Sequence, residues 1–506
     1  MTAFYWHIVH KIFPLIVIVL SILFVTCDNT KSMTNAVFNL EKVFSTQNVQ
    51  LEAIKTRDNK RVSLKGMSTA LVNFSVAGAY DLTLAGIYYT KIKLGTPPRE
   101  FNVIIDTGSD DLWITCSPCV GCPRSSHLGV SGSLVELHQF DHANSNSASL
   151  LNCSNKICRN VGVCLTNASP CEFMEGYADG SVATGYYLSD ILHLDTIVGP
   201  STTVNSNVIF GCGTNVGGLL SNEYRALDGI FGFGHNYQSV ITQLSSKRII
   251  PKILSHCLKE DGGGILVIGE ILELGMVYTP LVPTKGQYNL YLDSITLNGQ
   301  LLPVNPQAYN TSGSRGIIVD SGTTLLYLVS DLYDAFISGV NIAVSPYCMP
   351  VVLRGNQCYQ LSNSEITIFP SIAFHFNGGA SMRLTPKDYL LNSPDLKNVM
   401  CMGIQRSLDS FPDLSILGDL ALKNKIVVYD MVHFRVGWVN YDCSMPMHVL
   451  TPSYWNMGKR KNNKAKKVTD FVLKGIKTKE VHDFVLTGVN ETAEKEMNKI
   501  TEEVIN

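Results

Sequence analysis

The chain of 506 residues is poor in charge: Asp, Glu, Lys and Arg make up 16% of it, against 45% hydrophobic residues. That balance excludes a disordered or polyelectrolyte chain. The net charge is −2, so the electrostatics give no reason to expect nucleic acid as a partner. Long apolar runs are lacking, with one exception at the N-terminus; no other segment could cross a bilayer. Metal-ligand spacing is also missing. Cys116-x-x-Cys119-x-x-Cys122 has neither a second knuckle nor a His pair to complete a zinc site, so no metal is expected.

The N-terminal exception reads as a targeting segment. His7 and Lys11 precede the run Ile12 to Leu20, and the apolar core continues to Cys27. Its length of about 15 residues is that of a signal peptide and short for a membrane span. Residues 1–27 therefore read as a cleaved signal, with an uncleaved signal anchor as the alternative. Of the 14 cysteines, seven crowd together: Cys116, Cys119, Cys122, Cys153, Cys158, Cys164 and Cys171. In a secreted chain these are expected to form disulfides, with the connectivity left open. Once Cys27 is removed the count is odd, which predicts one free or intermolecular thiol. Sequons at Asn73, Asn152, Asn167, Asn310 and Asn490 are candidate glycosylation sites. Cys153 stands in the middle of the Asn152 sequon, where a disulfide could block it.

Residues 28–85 mix Lys, Arg, Asn and Ser with short apolar patches. They read as a pro-segment whose basic residues (Lys42, Lys55, Arg57, Lys60, Arg61, Lys65) could face an acidic cleft; a plain linker is the alternative. From Gly86 the pattern sharpens. Tyr88, Thr90, Ile92 and Leu94 alternate with Tyr89, Lys91 and Lys93, the period of a half-buried strand. Gly95-Thr96-Pro97-Pro98 makes a turn, and Phe101 to Ile105 returns as a strand. Strand-like runs separated by Gly, Asn and Pro turns, with 40 glycines in all, predict an all-β architecture. Helices are expected only at residues 239–244 and 331–340, the second capped by Ser330. The chain divides into an N-terminal lobe, 86–270, a C-terminal lobe, 271–443, and a polar, basic, disordered tail, 444–506. The tail carries six basic residues between Lys459 and Lys467, then a 13-residue repeat (Val468 to Gly475 against Val481 to Gly488). The basic run reads as a solvated tail before it reads as a contact for anionic lipid or cell wall.

The chemistry lies in a device written twice. Asp106-Thr107-Gly108-Ser109 follows the apolar run ending at Ile105, and Asp320-Ser321-Gly322-Thr323 follows Ile317-Ile318-Val319, 214 positions later. Each stands where a buried strand turns into a loop. An apolar-apolar-Gly pattern follows in both halves, at Ile230-Phe231-Gly232 and Ile416-Leu417-Gly418. The order indicates a duplicated lobe with a pseudo-twofold axis that brings the two Asp together. Two carboxyls face to face cannot both ionise comfortably, so they share a proton and supply one acid and one base. Gly108 and Gly322 permit the tight loops. Ser109 and Thr323 can donate to the outer carboxylate oxygens, and Thr107 and Ser321 can tie one loop to the other.

These motifs resemble the pepsin-type aspartic endopeptidases, specifically the plant secreted, nepenthesin-like subgroup with a Cys-rich insertion. The resemblance runs from about Gly86 to Cys443. It is carried by Ile105 to Trp113, Phe210-Gly211-Cys212-Gly213, Asp320 to Thr324 and Ile416-Leu417-Gly418-Asp419. Asp110-Asp111 is more acidic than the residues usual there. The resemblance implies bilobal double-ψ β-barrel lobes with few short helices. It also implies a zymogen with catalytic Asp106 and Asp320, no cofactor, a polypeptide substrate and a monomeric enzyme. Tyr177-Ala178-Asp179-Gly180-Ser181 resembles the family's flap, so Tyr177, Asp179, Gly180 and Trp113 are expected to close on substrate, with Tyr177 hydrogen-bonded to Trp113. The alternatives are a non-catalytic, inhibitor-like binding protein on the same fold and a surface receptor with vestigial activity. Glu494 to Asn506 are polar and lack the apolar tail of a lipid anchor. The expected location is the secretory pathway, ending in the apoplast or the vacuole.

Overall fold

Strand Ile87–Leu94 (β2) carries the expected alternation, and strand Arg99–Asp106 (β3) pairs with it antiparallel across the Gly95 to Pro98 turn. Gly95 takes a positive φ of 89° there, a conformation open to glycine at little cost. One residue departs from the alternation. Tyr89, expected on the polar face, is buried in a cluster with Ile104 and Trp113, which covers that end of the face while Lys91 stays exposed. From Phe101 to Asp106 every residue of β3 is buried, so the strand delivers its carboxylate from inside the lobe.

The computed structural model describes residues 72–447, except 80–86 and the short stretches 129–132, 159–162, 165, 196–202, 261, 284–285, 313–314, 362–364, 394–395 and 446. The signal segment, most of the pro-segment, Asn490 and the tail repeat lie outside the described residues. A further strand, Val72–Ala79 (β1), precedes the expected start at Gly86. It pairs antiparallel with Gly264–Ile268 on one side and with β2 on the other. Among its residues of described burial, 72–77, the buried ones are Val72, Phe74 and Val76. So short an alternation does not stand out beside the polar stretch before it.

The two halves repeat one topology. In the first, β3 runs parallel to Gly229–Gly232, which is antiparallel to Leu112–Val120 (β4), which in turn is parallel to Thr203–Gly217. In the second, Gly316–Val319 runs parallel to Leu414–Leu417, which is antiparallel to Leu326–Leu328, which is parallel to Ile404–Arg406. Gly232 pairs with Asp106, and Leu417 with Val319. The halves also share a sheet. Ile253–Leu258 of the first pairs with Lys425–Asp430 of the second, so hydrogen bonding crosses the boundary drawn at 270. One apolar cluster includes Phe101, Ile105 and Phe231 from the first half and Val319, Phe374 and Tyr429 from the second.

Helices are short, as expected, with shifted ends. Val240–Ser246 follows Ser239. Ser330–Val344 is longer than read from sequence and includes Ser330 as its first residue. Val329 occupies the cap position without a side-chain bond, so Ser330 is not the cap. Leu332, Phe336, Val340 and Val344 form the buried stripe.

Among the described residues there are six disulfides, Cys116–Cys212, Cys119–Cys122, Cys153–Cys164, Cys158–Cys171, Cys257–Cys443 and Cys358–Cys401, and Cys348 is free. The first four staple the Cys-rich insertion and its neighbours. Cys153, Cys158 and Cys171 pack with Trp113, Phe173 and Tyr187 in a second apolar cluster. Cys257–Cys443 closes a span of 186 residues. On loop entropy, its double Ala variant should unfold at lower denaturant with a loss of about 5 kcal/mol. Urea titration of the oxidised variant and wild type checks this.

Candidate active site

The Asp-bearing loops meet as the duplication requires. Asp106 is 6% and Asp320 8% exposed. A Cβ placed on Gly108 would lie 2.5 Å from Asp320 Oδ1, and one on Gly322 would collide with Asp106 Oδ1. Each glycine therefore carries the opposite carboxyl on its backbone, an approach no larger residue permits. The two carboxyls are within hydrogen-bonding reach of each other.

The surrounding bonds are matched. Gly108 N donates to Asp106 Oδ1 and Gly322 N to Asp320 Oδ1, both at 2.8 Å. Ser109 Oγ donates to Asp106 Oδ2 at 2.5 Å and Thr323 Oγ1 to Asp320 Oδ2 at 2.6 Å. Thr107 N donates to Ser321 Oγ at 3.2 Å, and Ser321 N to Thr107 Oγ1 at 3.0 Å. Ser321 Oγ reaches the Ile105 carbonyl at 3.1 Å, and Thr107 Oγ1 lies 3.2 Å from that of Val319. Each hydroxyl thus bonds the backbone beneath the other loop and fixes the pair. Burial first, and the Asp320 carboxylate second, push Asp106 up to about 8, against the pull of Ser109 and Gly108. Two such groups titrate as one unit.

The hairpin of Glu172–Gly176 and Val182–Asp195 turns through Tyr177 to Ser181. Gly180 has φ 82°, and Asp179 is exposed, its Oδ1 accepting from Ser181 N at 2.9 Å. Asp179 and Gly180 thus shape the turn. Trp113 Nε1 donates to the Tyr177 hydroxyl at 2.7 Å, which draws the hairpin over the dyad's side of the lobe. Ser410, from the other half, lies 3.4 Å from the Ala178 carbonyl at the hairpin tip; nothing in the sequence pointed to it.

Further groups stand near the dyad in roles that sequence reading did not assign. Asp419 follows the Ile416-Leu417-Gly418 motif, is fully buried, and neither carboxyl oxygen has a hydrogen-bond partner. Burial, then Asp320 and Asp106, hold it well above the usual carboxylate range beside the dyad. Asp111 accepts from Tyr187 at 3.2 Å and is pushed up to about 7 by burial and by Asp110. Glu175, two residues before Tyr177, is pushed up to about 8 by burial and then by Asp111, Asp106 and Asp110. Beneath Thr107, Tyr429 lies 3.4 Å from its hydroxyl and 3.1 Å from His256 Nε2.

Of the sequons, Asn152, Asn167 and Asn310 are exposed and Asn73 is half-buried in β1. The sulfurs of Cys153, Cys158 and Cys164 lie within 4.8 Å of one another, but all three are committed to disulfides and offer no thiolate.

Comparison with known proteins agrees with this geometry. A family model described as xylanase inhibitor N-terminal matches residues 88–270, and one described as xylanase inhibitor C-terminal matches 287–440. Aspartic proteinase 36 of Arabidopsis thaliana is 33% identical over 423 residues, covering 82% of this chain and 86% of the relative. Aspartic proteinase nepenthesin-1 of Nepenthes gracilis is 27% identical over 381 residues, covering 71% and 78%. The crystal structure of basic 7S globulin from soybean superposes with a TM-score of 0.58 at 19% identity, over 76% of this chain and all of that one, a likeness of fold alone. The chain belongs to the plant family of pepsin-like aspartic proteinases and xylanase-inhibitor-like proteins.

Proposed function

We propose that the chain is a secreted aspartic endopeptidase that hydrolyses peptide bonds at acid pH. The observation that carries this reading is the intact pair, Asp106 and Asp320, with both sets of supporting donors in place. Amide hydrolysis needs a nucleophile, a base to activate it and an acid for the leaving nitrogen. A water between the carboxyls gives its proton to the ionised one as it attacks the carbonyl carbon. The protonated partner donates to the carbonyl oxygen and stabilises the tetrahedral diol. The proton taken up is then passed to the departing amine. Tyr177 and its hairpin cover an extended peptide and exclude water from the reacting bond. Six disulfides support passage through an oxidising compartment.

The name of the matched family model favours a second reading, an inhibitor-like binding protein on the same scaffold. The two readings separate in one assay. The purified chain should cleave an extended peptide at acid pH and be blocked by pepstatin; stoichiometric binding to a glycosidase with no cleavage of any peptide would support the second. Within the first reading, Tyr177→Phe leaves the buried Trp113 N–H without an acceptor. That costs about 1–1.5 kcal/mol, so kcat/KM should fall about tenfold with the far-ultraviolet spectrum unchanged.

A further inference from the structure

A cavity of about 800 Å³ opens where the start of Lys425–Asp430 meets the end of the neighbouring strand at Asn440 and the Lys259-Glu260 turn. It shares no residue with the dyad or the hairpin over it. Lys425 is 3% exposed and lines the cavity. Among the described residues its ammonium has no hydrogen-bond or ion-pair partner; the carboxylate it feels, Asp388, stands beyond ion-pair distance. The Lys259 ammonium has no partner there either, and Arg383 donates only to Ser371 Oγ, at 3.1 Å.

The acids of the cavity are already engaged. Glu260 takes Lys423 at 3.3 Å on one oxygen and Asn424 at 3.2 Å on the other. Asp388 Oδ2 accepts from Thr385 N and Oγ1 at 2.6 and 2.8 Å. Asp442 Oδ1 accepts from Ser444 N and Oγ at 3.0 and 2.6 Å. Asp388 and Asp442 keep their charge but are held by neutral donors, whereas among the described residues Lys425, Lys259 and Arg383 make no ion pair. A buried ammonium without an anion is destabilising, and an oxyanion placed against it offsets that cost.

We infer that this cavity binds an oxyanion, phosphate or carboxylate, with Lys425 at its base and Lys259 and Arg383 at its sides. Burial holds the Lys425 ammonium below its ordinary value, only partly opposed by Asp388, and a bound anion would raise it again.

The test is thermal unfolding of the full secreted chain at pH 6.5, titrated separately with inorganic phosphate and with succinate, against sodium chloride of matched ionic strength. At least one anion should raise the melting temperature saturably, and which one does so distinguishes phosphate from carboxylate. Lys425→Met should abolish that shift while peptide cleavage is retained. If this variant does not fold, Lys259→Ala and Arg383→Gln carry the test, each weakening half-saturation about tenfold. No shift beyond that of chloride, or the same shift in every variant, would overturn the inference.

Discussion

Asp106→Asn should fold as the wild type does and cleave peptides about 10⁴-fold more slowly, the upper range for loss of a positioned acid–base group. Asn fills the same space: its Oδ1 can still accept from Gly108 N, and its Nδ2 can donate to Ser109 Oγ, which reverses its role, so the loop keeps both contacts. It cannot take a proton from water, nor share one with Asp320. Asp320→Asn should be equivalent, because Gly322 and Thr323 hold it the same way. Initial rates on a fluorogenic peptide at acid pH, with circular dichroism as the control for folding, decide the matter. Wild-type rates in either variant would remove the dyad from the reaction.

The second large effect is on stability. Unfolding temperature should fall as pH rises from about 4 to about 8. Several carboxyls stand above their ordinary range, among them Asp106 and the half-buried Glu175 at about 8, Asp111 at about 7 and Asp228 at about 6. A group that binds its proton more tightly in the folded state gives stability that is complete below its unfolded pKa. That stability is lost as pH rises through the folded one. Over this window the loss is on the order of 5 kcal/mol or more. His256 acts in the opposite direction. Burial pulls it down to about 3, so its contribution is present above its ordinary value of 6.5 and lost as pH falls from there toward 3. Burial lowers His235 as well, but the raised carboxyls outnumber the two imidazoles and leave the maximum on the acid side. Calorimetric melting at pH 4, 6 and 8 should show the decline, and Glu175→Gln should reduce its slope. A chain equally stable at pH 8 and pH 4 would show that these carboxyls are not buried as described.

What was legible in the sequence was local chemistry repeated at long range. Asp106-Thr107-Gly108-Ser109 and its counterpart at Asp320 announce themselves because each needs an apolar strand before it and glycine within it. The hydroxyls that hold the pair sit at fixed offsets from each Asp. The Trp113–Tyr177 bond was reachable only through family resemblance, since 64 residues separate the two. Nothing local could reveal which cysteines pair, because Cys116 meets Cys212 and Cys257 meets Cys443 through the sheets between them. The same holds for the acids. Asp111 looks like an ordinary loop residue and Glu175 like the exposed position of an edge strand, until the hairpin folds one toward the other. Asp419 was visible as part of a motif, but its lack of any hydrogen-bond partner depends on the completed lobe. β1 was missed because three alternating apolar residues are too few to mark a strand unless the sheet they join is known.

The pH dependence of kcat/KM on a single peptide most directly tests whether Asp106 and Asp320 work on one water as one acid–base unit. The expected profile is a bell with its maximum at acid pH, its two limbs belonging to the first and second ionisations of the pair, with the rate of Asp106→Asn or Asp320→Asn lower by about 10⁴-fold at the optimum. A single rising limb that saturates at high pH, or a profile unchanged by either substitution, would contradict proton sharing between the two carboxyls.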